Sequence, residues 1–108
     1  MISIDEFKKG EIMIGEILSA EMIEGSDKLL KLSVDFNEGN SRTVVSGIRK
    51  YFAEPSELVG VKCAFATNLE PRPLMGIPSE AMILAVSTDE VFSLLRSDPS
   101  IPAGTKVR

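Results

Sequence analysis

Leu30-Lys31-Leu32-Ser33-Val34-Asp35-Phe36 sets four apolar side chains against three polar ones. That alternation is the period-two pattern of a strand with one face in a core and the other in solvent. Turn chemistry brackets it: Glu24-Gly25-Ser26-Asp27 before, and Asn37-Glu38-Gly39-Asn40 after as a hairpin loop. Upstream, Glu11 to Ile23 carries apolar residues at the even positions Ile12, Ile14, Leu18, Ala20 and Met22, with Glu16 the exception. This reads as a long half-buried strand that Gly15 allows to bend or bulge. Ser3 with Glu6 three residues later forms a capping-box pattern, opening one or two helical turns that Gly10 stops.

Downstream, Arg42 to Ser46 is a short third strand ended by Gly47, and Ile48 to Phe52 is a single helical turn before Pro55. Val61, Cys63, Phe65, Thr67 and Leu69 alternate to give a fourth strand. Ala81 to Thr88 gives a fifth, with Met82, Leu84 and Val86 on its apolar face. Glu70 to Glu80, with three prolines and one glycine, reads as a held loop. Val91 to Leu95 is a further short apolar segment, and Pro99 to Gly104 is a turn-rich approach to Lys106-Val107-Arg108. There is no internal repeat, low-complexity tract or linker. Five strands with frequent turns and little helix predict an all-β fold, a small closed barrel of the oligonucleotide-binding type. A β-sandwich or an SH3-like barrel fits the same alternation.

With 108 residues, 44% of them hydrophobic, residues 1–108 can build one domain around one core. The single cysteine, Cys63, lies inside an apolar run and reads as a small buried hydrophobe in a reducing compartment. No stretch approaches the roughly 18 to 20 apolar residues of a membrane span, and Asp5 and Glu6 break any signal-segment pattern, so a cytoplasmic location is expected. With no histidine and one cysteine, the usual zinc sets and histidine triads cannot be assembled, and no cofactor or metal is expected.

The net charge of −4 argues against indiscriminate nucleic-acid binding. The distribution says more: residues 1–27 carry seven acids and two bases, whereas residues 28–72 carry seven bases and five acids. Any basic patch belongs to the middle segment.

Several stretches together resemble the tRNA-binding domain found at the C-terminus of many bacterial methionyl-tRNA synthetases, in standalone tRNA-binding proteins and in a secretion-chaperone branch. They are Ile4-Asp5-Glu6-Phe7 with Ile14-Gly15-Glu16-Ile17, Glu24-Gly25-Ser26-Asp27-Lys28-Leu29, Val45-Ser46-Gly47-Ile48-Arg49, Asn68-Leu69-Glu70-Pro71-Arg72, and Gly76 with Ser79-Glu80-Ala81-Met82. Their order and spacing carry the likeness over residues 4–106. The resemblance implies an oligonucleotide-binding barrel with a C-terminal dimerisation extension, tRNA as ligand and a homodimer. It places RNA contacts on Lys28, Ser46, Arg49, Asn68, Arg72 and Ser79.

Chemistry gives these positions an independent reading. Lys28 and Arg49 can neutralise phosphates, Arg72 can also stack on an unpaired base, and Ser46 and Asn68 suit base edges or 2′-hydroxyls. Ser46 and Asn68 read equally well as loop residues bonding their own backbone, and Lys28 as a solvated surface charge. Tyr51, Phe52 and Phe92 read first as core or interface, with Tyr51 an alternative base platform. The exposed pair Leu74 and Met75 suits a protein contact or a wedge under a ribose. The chain departs from the family where Pro73 and Met75 stand in place of two common basic residues, and where Ala81 replaces glycine.

Three functions compete. The leading one is a non-catalytic module recruiting tRNA, with a methionyl-tRNA synthetase catalytic chain as a further partner. The second is a chaperone-like protein-binding dimer. The third, an enzyme, has only Asp27 beside Lys28 or Glu80 near Arg72 to draw on, with no nucleophile and activating base at a usable spacing.

Overall fold

The computed structural model describes all 108 residues. β1 (Ile12–Met22) is long enough to serve two partners. Ile12–Glu16 pairs antiparallel with β4 (Lys62–Ala66), and Glu16–Met22 pairs antiparallel with β2 (Leu30–Asp35). β3 (Arg42–Ser46) flanks β2, and β7 (Met82–Ile83) flanks β4, so the sheet runs β3-β2-β1-β4-β7. This is the all-β, nearly closed five-stranded barrel that the alternation predicts. Leu30, Leu32 and Val34 are fully buried, and Phe36 closes one end against Phe65, edge to face at 5.2 Å.

The even-numbered phase of β1 is corrected by a bulge. Met13 and Ile17 face the core, while Leu18 is 46% exposed. The register skips one residue between Ile17 and Ser19, so the inward set changes from odd to even there and Ala20 packs inward opposite Leu32. Gly15 has a different task from bending: a Cβ on it would stand 2.6 Å from Phe36 Cε1 and from Val34 Cγ1.

The expected fifth strand divides. β7 follows β4, and after Leu84 donates to the Ala64 carbonyl (3.0 Å) the chain leaves to make β8 (Ala85–Ser87), a hairpin with β9 (Phe92–Leu94). Its phase is also corrected: Ala81 and Ile83 are buried, whereas Met82 and Val86 are exposed and Leu84 is half-buried. Glu70 to Glu80, expected as a loop, contains a hairpin of β5 (Arg72–Leu74) and β6 (Ile77–Ser79). Met75 and Gly76 turn it with φ of 52° and 77°, the doubly positive combination of a type I′ turn. In such a hairpin the closing pair, Leu74 and Ile77, holds the hydrogen bonds, so the next pair, Pro73 and Pro78, needs no N–H.

The barrel is sealed by side chains where the ladder runs out. The Val45 N–H donates to Ser79 Oγ (2.9 Å) and the Thr43 N–H to Glu80 Oε1 (3.0 Å), while the Glu80 N–H donates to the Thr43 carbonyl (2.8 Å). Arg42 ties the same seam: its guanidinium donates to Glu38 Oε1 (2.6 Å) and to the Thr67 carbonyl (2.7 Å), and lies over the Phe36 ring. The C-terminal residues fill the side of β1 that β2 leaves open. Gly104 and Val107 donate to the carbonyls of Ile14 and Ile12, and Ile14 donates to that of Thr105. The Lys62 ammonium holds the approach, donating to the Pro99 and Ile101 carbonyls at 3.0 and 2.9 Å. At the other end the capping box of Ser3 and Glu6 is formed on α1 (Ile4–Phe7), a single turn.

Candidate nucleic-acid interface

The β5–β6 hairpin lies beside the barrel seam and leaves a groove of about 170 Å³ between itself, β3 and β7. Ser46, Arg72 and Ser79 line it, and with them come Leu69, Glu70, Leu74 and Met82. The hairpin carries the site toward a second element: Met75 Cε lies 3.7 Å from where a Cβ on Gly25 would stand, so its tip meets the Glu24–Asp27 turn. Lys28 and Arg49 are on that side. The Arg49 N–H donates to the Lys28 carbonyl (3.2 Å), and Leu30 pairs with Ser46.

The six predicted residues therefore separate by what their side chains already hold. Asn68 lies outside the groove and is spent on the fold: Oδ1 accepts from the Glu11 N–H (2.7 Å) and Nδ2 donates to the Lys9 carbonyl (2.5 Å), clasping the start of β1 to the end of β4. Ser79 is buried, accepting from Val45 and donating to the Ala81 carbonyl (3.1 Å). Arg49 is half-buried and donates to the Ser26 carbonyl, which holds the turn beneath Lys28. Lys28 and Arg72 are exposed, with no protein partner for either charge. Ser46 is half-buried in the groove wall. Glu80, drawn from sequence as an acid beside Arg72, is engaged with Thr43 instead.

Two features of the site were not singled out from sequence. Glu70, two residues before Arg72, lines the groove with no hydrogen bond or ion pair of its own. Alternation puts Leu69 and Met82 on a strand's core face, but at 49% and 51% exposed they form apolar walls of the groove. Their signal is only that each follows or precedes a turn. The aromatics fall elsewhere: Phe52 is core, and Tyr51 stacks on Phe92 with centroids 3.9 Å apart and planes 7° from parallel. One Tyr51 face is thereby covered, and the Lys50 ammonium lies 5.0 Å from the ring centroid. Cys63 is fully buried, and burial pushes its thiol up to about 12, outweighing the Arg96 guanidinium that opposes the shift.

The sequence model of the family described as "Putative tRNA binding domain" matches residues 12–106, which span the barrel, the hairpin and the groove. The chain belongs to this tRNA-binding domain family. Among relatives, the methionine–tRNA ligase of Deinococcus radiodurans is 47% identical over 109 residues, covering all of this chain and 16% of the ligase. That of Caldanaerobacter subterraneus is 43% identical over 106 residues, again covering 16% of the ligase. The domain thus spans about one sixth of the length of these enzymes. A methionyl-tRNA-synthetase-related protein from Pyrococcus horikoshii superimposes with a TM-score of 0.91 at 34% identity, over 100% of this chain and 98% of the other. The chaperone CsaA from Bacillus anthracis superimposes with a TM-score of 0.85 at 26% identity, over 100% and 99%. No helix of the domain is long and apolar enough to cross a membrane.

Proposed function

We propose that this tRNA-binding domain is a non-catalytic module that holds tRNA along the β5–β6 hairpin and the Lys28–Arg49 edge. The observation that carries the reading is the unpartnered Arg72 guanidinium on the lip of the groove, with unpartnered Lys28 just beyond the Glu24–Asp27 turn that the hairpin tip meets. Arg72 and Lys28 hold phosphates, Arg49 positions the turn that presents Lys28, and Ser46 meets a base edge or 2′-hydroxyl. Ser79 and Asn68 act by keeping the seam and the strand ends in place. The module works in the cytoplasm by recruitment. Tethered or docked to a methionyl-tRNA synthetase catalytic chain, it raises the local tRNA concentration without touching the chemistry. Exposed Ile4, Phe7 and Val107 at one end, and Val86, Val91 and Leu95 around the β8–β9 hairpin, support pairing into a homodimer.

Equilibrium binding to unfractionated tRNA across a salt series tests the reading. With two phosphates held per subunit, by Arg72 and Lys28, the slope is roughly −1.5 to −2, and Arg72→Ala flattens it by about 0.7 to 0.9. Binding that ignores salt, or an unchanged slope in the variant, contradicts it. The likeness to CsaA and the apolar groove walls favour one second reading, capture of an unfolded peptide in the same groove. That binding persists in high salt, where phosphate contacts fade.

A further inference from the structure

A carboxylate on a surface that grips phosphates weakens binding unless it accepts hydrogen bonds from the ligand. Glu70 is such a carboxylate: it lines the groove with Arg72, is separated from it only by Pro71, and pairs neither with Arg72 nor with any other protein group. The groove's remaining walls are Leu69, Leu74 and Met82, with Ser46 at the side. At about 170 Å³ the groove has room for one unstacked base. Apolar side chains suit the faces of such a base, and an ionised carboxylate, an acceptor without donors, suits an edge that carries N–H groups.

From this juxtaposition we propose that Glu70 is the specificity-determining residue of the groove and selects an unpaired base bearing an exocyclic amino group. Arg72 takes the adjoining phosphate, and the base enters between Leu69, Leu74 and Met82. Cytosine presents its N4 amino group as a donor to Glu70. Uracil presents the O4 carbonyl at the same place and leaves the carboxylate only N3–H to accept from, so uracil enters more weakly than cytosine. The proposal rests on the tRNA reading above and adds the class of nucleotide that enters the groove.

Competition against labelled tRNA at pH 7.5 by short oligocytidylate and oligouridylate tests it, with direct tRNA binding measured alongside. Oligocytidylate displaces tRNA at a concentration about fivefold or more below oligouridylate. Glu70→Gln, which keeps the side chain's shape and supplies both a donor and an acceptor, brings the two within twofold. Arg72→Ala weakens both oligonucleotides by the same factor. Equal competition in the unmodified protein, competition by neither, or a cytidine preference that survives Glu70→Gln overturns the proposal while leaving tRNA binding intact. Failure to bind tRNA at all overturns the functional reading and this proposal with it.

Discussion

Asn68 and Arg72 stand four residues apart, both polar and exposed, yet they do opposite things. Asn68 is held by backbone, accepting from Glu11 and donating to Lys9, whereas the Arg72 guanidinium makes no hydrogen bond or ion pair. The same contrast holds across the groove, where Ser79 caps the Val45 N–H and Glu70 lines the wall with nothing to accept from. Residue type does not separate seam from site in this molecule; existing commitments do. Short polar side chains go to N–H groups that the barrel's ladder leaves open, because an unpaired buried donor costs about 1–3 kcal/mol. Arg42 and Glu80 are drawn into that seam as well, and the charged side chains without such commitments, Lys28, Glu70 and Arg72, remain for the ligand.

Substitutions break the comparison at graded cost. Ser79→Ala strips the Val45 N–H of its acceptor and destabilises the domain by about 2 kcal/mol in denaturant titration. tRNA affinity per folded molecule stays within twofold of the unmodified protein. Asn68→Ala costs about 1 kcal/mol by the same measurement, since the Glu11 N–H and Lys9 carbonyl lie near enough to water to be partly resolvated. Arg72→Ala reverses the profile: stability stays within about 0.5 kcal/mol while the salt slope of tRNA binding flattens. Lys28→Ala does the same with a smaller loss, because the turn held by Arg49 stays in place. Smallest of all is the response of Cys63 to thiol reagents, nil at pH 8 in the folded protein and rapid once urea unfolds it. Its folded pKa is raised, so its contribution to stability is complete below the ordinary thiol value near 9. That contribution is lost as pH climbs from there towards about 12, and a pH series of urea midpoints over this window reads it.

The strands that bury one clean face were legible. Leu30 to Phe36 alternates without interruption and is buried as its pattern predicts, because a strand between two neighbours has its register fixed by that face. β1 was legible in extent and not in phase, since one extra residue at Leu18 reverses the alternation and no local signal marks it. The β5–β6 hairpin was hidden by Pro73 and Pro78, which normally argue against a strand. Facing each other at a pair that needs no N–H, they are compatible with one. β7 and β8 read as a single strand because the chain parts from β4 within an unbroken apolar run. For the site, basic residues could be found by charge, but whether a serine or asparagine faces ligand or backbone depends on neighbours 34 and 57 residues away. Glu70 is hidden in the sequence for the same reason: what sets this acid apart is its lack of a partner, which only the folded neighbours define.

Backbone amide shifts on titrating the isotope-labelled domain with tRNA test most directly the division between seam and site. Shifts should concentrate on Leu69–Gly76, Ser46–Arg49 and Ser26–Lys28, with Lys9–Glu11 and Thr105–Val107 unmoved. Shifts centred on α1 and the C-terminal residues, with the β5–β6 hairpin silent, would contradict the placement of the site.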